Sequence, residues 1–185
     1  MTRGYPDGKR NAMRTPSRAW SARCACGQTQ LVASGAPLLT LACYCDDCQE
    51  AGRQISCLPN ARTGLAADGG TVSTIFRKDM LQIARGRHLL VDHKLRPASR
   101  TTRRIASCCN SNLMTVFSGS IPIVTVRSFS DDSPISPELC VLTKFAPDPA
   151  RIAHPVPKYA AVPANLVLKV LWAGIALRLR GSLQP

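Results

Sequence analysis

The chain has 185 residues, of which 45% are hydrophobic and 19% are charged. This length suits one ordinary domain with modest extensions, and the composition excludes a wholly disordered chain. The formal net charge of +13 is typical of nucleic-acid-binding proteins, but part of it lies in one segment. Residues 1–19 are rich in Arg, Gly, Pro and Ser and show no periodicity, so they are predicted to form a disordered basic tail.

The sequence lacks the apolar signals that direct a chain into or through a membrane. Its N-terminus has no apolar stretch, and its longest apolar segment, residues 166–177, carries Lys169 and is shorter than the ~18 residues of a span. We therefore expect a cytoplasmic protein with no membrane span. In a reducing compartment, clustered cysteines are metal ligands or catalytic groups more often than disulfides, and nine cysteines is an odd number.

Residues 20–145 favour short strands separated by turns. Residues 53–70 contain several Gly and Pro residues and are predicted to form a loop. Residues 76–95 are predicted to form two short strands joined by a turn at Gly86. Residues 38–42 and 139–145 are further apolar segments, and residues 121–126 form a β-branched run.

The C-terminal part of the chain predicts a helix. Leu166, Val170, Leu171 and Leu177 recur at helical spacing, which places the helix at residues 164–179. The resulting fold class is mainly β with a C-terminal helix. We divide the chain into a tail at 1–19, a β domain at 20–162, and a helix and tail at 163–185. The helix is expected to pack on the β domain, and a homodimer contact is the alternative.

Seven of the nine cysteines fall into three short clusters. These are Cys24 with Cys26, then Cys43, Cys45 and Cys48, and finally Cys108 with Cys109. Zinc is held by deprotonated thiolates, four in structural sites and three in sites that keep a position for water or substrate. The second cluster forms a natural set of three, whereas the first is half of a site that a distant pair must complete. The alternative is that these are small buried residues or adventitious thiols.

The remaining cysteines and the histidines do not show ligand spacing. Cys57 and Cys140 each stand alone in apolar surroundings, so both are predicted to be packing residues. The three histidines are not paired at ligand spacing, and surface or hydrogen-bonding roles are expected for His88, His93 and His154.

These motifs resemble the glutathione-dependent formaldehyde-activating enzyme family, also described as the centromere-protein-V-like zinc domain. Residues 24–27 match the family's Cys-x-Cys-Gly element, and residues 43–52 match its second cysteine motif, with Tyr44 at the usual His. Residues 80–95 resemble its Gly-Arg hairpin, and residues 103–113 its last motif. The likeness covers about residues 20–145 and implies antiparallel sheets around Cys-bound zinc.

The resemblance also implies two zinc sites. A structural zinc is expected on Cys24, Cys26 and Cys109. A second zinc, with an open position for glutathione-thiol chemistry, is expected at the catalytic candidates Cys43, Cys45 and Cys48.

The chain departs from the family pattern at the structural site. Ala106 stands where the family has its first late cysteine, and an extra thiol lies at Cys108. Either Cys108 supplies the fourth ligand or another group completes the site. If Cys108 and Cys109 both bind one ion, the chain needs a kink or bulge at residues 107–109, because neighbours on a strand point to opposite faces.

Three functions remain open at this level. The first is a carbon–sulfur lyase that acts on adducts of small aldehydes with glutathione or another small thiol. The second is a non-catalytic zinc-stabilised module that binds an acidic partner through its tail and Arg96, Arg100, Arg103 and Arg104. Since no aromatic residues are interleaved with these arginines, specific nucleic-acid binding is not expected. The third is a redox sensor based on a Cys108–Cys109 disulfide.

Overall fold

The computed structural model describes residues 20–127 and 136–181. Over these residues the chain is mainly β, with two α-helices, α1 (Asp46–Ser56) and α2 (Ala164–Gly181). The strands are β1 (Trp20–Arg23), β2 (Gln30–Ala33), β3 (Leu39–Cys43), β4 (Thr71–Arg77), β5 (Leu81–Arg85), β6 (Leu90–His93), β7 (Thr101–Ala106), β8 (Ser111–Phe117), β9 (Ile123–Val126), β10 (Leu139–Val141) and β11 (Lys158–Tyr159).

The strands form two sheets. The small sheet has the order β1-β2-β5, and the large sheet has the order β11-β10-β3-β4-β9-β8-β7-β6. All pairs are antiparallel except those that β10 makes with β3 and β11, which are parallel. The predicted fold class is therefore confirmed, with a mixed edge on the large sheet as an addition.

The two faces of the large sheet are covered by different elements. Phe76 on β4 points toward the small sheet and shares a buried apolar cluster with Leu31 of β2. Its neighbour Ile75 points to the opposite face, where Leu166 and Ala173 of α2 cover it. Packing of the C-terminal helix on the sheet is thus confirmed.

The other side of α2 is apolar and exposed. Leu171 and Trp172 keep 57% and 68% of their surface accessible, so the helix buries only a narrow stripe. The homodimer contact and the division into domains stay predictions. Neither helix in the described part of the chain is long and apolar enough to cross a membrane. The basic tail predicted at residues 1–19 lies outside the described residues.

Two local predictions need correction. The loop expected at residues 53–70 begins later, because α1 continues to Ser56. The two strands around Gly86 exist, but they do not form a hairpin with each other: β5 pairs with β2 of the small sheet, and β6 pairs with β7 of the large sheet. Gly86 is therefore the point where the chain passes from one sheet to the other.

Gly86 is held in a conformation that favours glycine. Its φ angle is +72°, and a Cβ atom added there would lie 2.6 Å from the Gln28 carbonyl oxygen. Gly119 has a similar φ of +76°, but its nearest neighbour would be the flexible Arg100 side chain at 3.2 Å. Gly119 therefore offers a control with the same backbone strain and no backbone clash.

We predict that Gly86→Ala lowers the free energy of unfolding by about 3 kcal/mol, because left-handed strain and a backbone clash add. Gly119→Ala should cost about 1–2 kcal/mol, from the strain alone. Urea denaturation of the two variants and the wild type measures the difference. Equal costs would contradict the close approach at Gly86.

Candidate metal centres

Four cysteine sulfurs meet between the two sheets. The Sγ atom of Cys26 lies 3.5 Å from that of Cys24 and 3.3 Å from that of Cys108, and Cys24 and Cys108 are 3.8 Å apart. Cys109 Sγ is 4.0 Å from Cys108 Sγ, and all four sulfurs lie within 4.8 Å of one another. Sulfurs bound to zinc at ~2.3 Å stand about 3.8 Å apart in a tetrahedron. The spacing of this four-sulfur cluster fits such a site.

Two tight loops bring these sulfurs together. The connection between β1 and β2 curls at Gly27, whose φ is +75°, and the Thr29 N–H donates to Cys24 Sγ at 3.3 Å. The connection between β7 and β8 turns at Asn110, with φ +51°. The Ala25 N–H donates to Ser111 Oγ at 3.0 Å and thereby ties the two loops to each other.

The structure shows where Ala106 and Cys108 lie at the position where the sequence differs from the family pattern. Ala106 ends β7 with its methyl group fully buried in the apolar cluster between the sheets. Cys108 lies in the turn after β7, so the extended strand ends before the two neighbouring cysteines. The Cys109 N–H donates to the Ala106 carbonyl oxygen at 3.2 Å within this turn. The structure therefore brings Cys108 to the other three sulfurs, although its role as a ligand stays a prediction.

Three further sulfurs form a separate cluster. Those of Cys43, Cys45 and Cys48 lie within 4.8 Å of one another, and all three residues are partly exposed. We call this set the triad. Cys43 is the last residue of β3, Cys45 is the N-cap residue of α1, and Cys48 lies in the first turn of that helix.

The passage from strand to helix explains this geometry. Side chains alternate along extended backbone, so Cys43 and Cys45 point to the same side and Tyr44 to the other. The N–H groups of Cys48 and Gln49 both bond to the Cys45 carbonyl, at 3.0 and 3.1 Å, which starts the helix. The N-cap side chain and the side chain three residues later lie on the same side of a helix, which brings Cys45 and Cys48 together. The helix was not predicted, and only its first-turn acids, Asp46 and Asp47, signalled it.

Tyr44 belongs to the scaffold of this segment. Its side chain is fully buried, and its hydroxyl donates to Asp68 Oδ2 at 2.9 Å. Gln49 Nε2 donates to the carbonyl oxygens of Tyr44 and Phe145 at 2.7 and 2.8 Å, which fixes α1 to the strand. Because Tyr44 points away from the triad, its difference from the family's His leaves the three sulfurs in place.

One cysteine in each cluster has a lowered pKa. Hydrogen bonds from the Cys43 and Cys45 thiols, together with the charges of Arg127 and Arg103, lower the pKa of Cys48 well below its usual range. Although burial opposes ionisation of Cys109, hydrogen bonds that include one from Ser111 lower its pKa to about 6. Thiolates are the form that binds metal.

Two arginines lie buried close to the triad. Arg103 Nη2 donates to the carbonyl oxygen of Asp47, the residue before Cys48, at 2.7 Å. Arg127 is close enough to the triad for its charge to act on Cys48. Arg103 is only 2% exposed, so the surface predicted for an acidic partner loses one of its four arginines. Neither arginine was predicted to belong to the site, although Arg103 is the first residue of the segment that resembles the family's last motif. No motif found in the sequence marks Arg127.

The isolated cysteines differ from each other. Cys140 is buried in an apolar cluster with Ala42 and Tyr44, as predicted. Cys57 is exposed at the end of α1, where its thiol bonds to the Arg53 carbonyl at 3.5 Å, so the prediction of a packing role is wrong. The prediction failed because α1 directs Cys57 toward the solvent, although its neighbours in the sequence are apolar.

The donor sets of both clusters suit a thiophilic divalent ion. All seven residues are free cysteines, and their sulfurs lie close together without a covalent bridge. Zinc accepts both four and three thiolates, whereas harder ions such as magnesium require oxygen ligands. The clusters can therefore hold metal ions and are compatible with zinc.

Comparison with known proteins identifies the family. A crystal structure of a Rhodobacter sphaeroides protein, a structural-genomics target, aligns with a TM-score of 0.44 and 13% identity, over 75% of this chain and 99% of that one. No curated protein matches the chain. The model of the glutathione-dependent formaldehyde-activating enzyme family matches residues 19–144, a range that holds both cysteine clusters. The chain belongs to the glutathione-dependent formaldehyde-activating enzyme family.

Proposed function

We propose that the chain is a zinc-dependent carbon–sulfur lyase that reversibly joins a small thiol, glutathione first among them, to a small aldehyde at the triad. The contrast between the clusters carries this proposal. Four sulfurs close a tetrahedron and suit a structural zinc, whereas the three sulfurs of Cys43, Cys45 and Cys48 leave one corner open. Family membership supports the choice of glutathione and an aldehyde as substrates.

The proposed reaction is an addition to a carbonyl group. The thiol sulfur attacks the aldehyde carbon, the carbon–sulfur bond forms as the carbonyl π bond breaks, and the proton lost by the thiol ends on the new hydroxyl oxygen. The lyase direction is the reverse. A zinc ion at the triad supplies the positive charge that lowers the pKa of the incoming thiol.

The chain's own residues hold the triad and leave it accessible. Cys45 and Cys48 sit at the N-terminus of α1, whose partial positive charge stabilises thiolates. The three cysteines are partly exposed, so the proton can exchange with water. The Asp47 carboxylate is paired with Arg96 at 3.2 Å on the surface, and no proton-transfer role is assigned to it.

We predict that Cys45→Ser lowers turnover of glutathione with formaldehyde by at least about a hundredfold and changes the free energy of unfolding by less than about 1 kcal/mol. The reason is that the triad takes part in the reaction, whereas the four-sulfur cluster joins the two sheets. The assay follows adduct formation by NMR in both directions, and urea denaturation gives the stability.

Two variants complete this test. Cys57→Ser changes an exposed cysteine outside both clusters and should retain activity and stability. Cys24→Ser should destabilise the fold by several kcal/mol, because metal-binding energy in a structural site is folding energy. If Cys45→Ser loses stability as Cys24→Ser does, the triad is structural and the binding-module function is favoured.

A further substitution tests whether Tyr44 supports the fold or takes part in the reaction. Tyr44→Phe removes a buried hydroxyl that donates to Asp68, and we expect it to cost about 1–2 kcal/mol of stability. Turnover below the unfolding transition should stay within about twofold of the wild type, because Tyr44 faces away from the triad. A large loss of turnover in a folded Tyr44→Phe protein would mean that the hydroxyl takes part in the reaction.

A further inference from the structure

Two buried arginines share one face of the large sheet with the triad. The register places Arg103 opposite Thr115 and Thr115 opposite Thr125, and Arg127 follows Thr125 by two residues. Following the paired residues from β9 across β4 to β3 places Cys43 on this face as well, since side chains alternate along each strand. Arg103 is 2% exposed and Arg127 is 5% exposed. Both cations therefore lie between the sheet and the elements that cover it.

Neither guanidinium group has its hydrogen-bonding capacity filled. Arg103 Nη2 reaches the Asp47 carbonyl, but its Nη1 has no acceptor among the residues that the structure describes. Arg127 Nη1 lies 3.4 Å from Thr115 Oγ1, and its buried Nε has no partner within residues 20–127 and 136–181. Over the same residues, neither forms an ion pair with a carboxylate.

Buried cations that have no carboxylate partner within the described residues point to a negative charge supplied by another group. A buried charge is costly unless it is paired, and arginine does not lose its proton in proteins. The sulfurs of the triad can supply this charge when they bind a metal ion as thiolates, because Cys43 lies on the same face of the sheet as both arginines. Arg103 also contacts the first turn of α1.

We propose that Arg103 and Arg127 set the charge of the triad site so that its open position binds a monoanionic ligand, a thiolate, in preference to a neutral one. This inference rests on the proposed function. Three thiolates and a divalent ion carry a net charge of −1, which disfavours a further anion. Two guanidinium groups change the charge to +1, and one bound thiolate then makes the site neutral.

The carboxylates near the triad in the described chain do not offset these cations in the same way. Asp46 and Asp47 are exposed, and Asp47 is paired with Arg96, so water and salt screen their charges. Arg103 and Arg127 are buried, where screening is weak and electrostatic interactions are stronger.

The test measures ligand binding without turnover. The protein is prepared with cobalt(II) in place of zinc, and its visible spectrum is followed during titration with 2-mercaptoethanol as the anionic probe and imidazole as the neutral probe. We expect Arg127→Gln and Arg103→Gln each to weaken 2-mercaptoethanol binding at least tenfold, about 1.4 kcal/mol. Imidazole binding should change by less than threefold.

Two control variants show whether charge is the cause. Arg104 is next to Arg103 but points to the other face of the sheet, where it pairs with Asp92 at 3.3 Å. Arg104→Gln should therefore leave the affinities for 2-mercaptoethanol and imidazole unchanged. Arg127→Lys keeps the charge and should retain 2-mercaptoethanol binding within about threefold, so it also serves if Arg127→Gln does not fold.

The outcomes separate this inference from the proposed function. Two results would overturn the charge proposal and leave the lyase proposal standing. In the first, both Gln variants bind 2-mercaptoethanol as well as the wild type does. In the second, Arg127→Lys loses as much affinity for 2-mercaptoethanol as a Gln variant. If no thiol changes the wild-type cobalt spectrum, the open position itself is absent and both proposals fail.

Discussion

Sulfur atoms packed at close range cannot all ionise unless a cation lies among them, and this constraint governs the molecule. Four thiols lie within 4.8 Å of one another where the small sheet meets the large one, and three lie within the same distance at the start of α1. Hydrogen bonds from neighbouring groups lower the pKa of one cysteine in each cluster, Cys109 and Cys48, whereas like charges at this range oppose ionisation of the others. A divalent ion bound in a cluster would remove this repulsion.

We propose a different task for each cluster. The four-sulfur cluster lies on loops from both sheets, so a metal ion bound there would stabilise their contact. The triad lies at the junction of β3 and α1, where Gln49 and Tyr44 fix the backbone and the sulfurs remain partly exposed. In this proposal, the buried Arg103 and Arg127 add positive charge to the second site. In this proposal, cysteine sulfurs form both a four-ligand site and a three-ligand site with an open position, and only the second lies beside the two buried arginines.

The sequence predicts the cysteine chemistry better than the path of the chain. The spacing of Cys43, Cys45 and Cys48 is local, so one strand–helix junction suffices to gather them. Pairing across Gly86 depends on long-range contacts, and β5 and β6 therefore join different sheets where a local hairpin was expected. The position of Arg103 and Arg127 beside the triad was not predicted for the same reason, because it depends on the register of the strands from β7 to β3, although Arg103 lies in a recognised motif segment.

Metal content per chain, measured by elemental analysis on protein purified without added metal, tests the central claim most directly. The account predicts two zinc ions per chain in the wild type, one in a variant with Cys43, Cys45 and Cys48 all changed to Ser, and no loss of zinc in Cys57→Ser. A metal-free wild type that keeps its fold would contradict it.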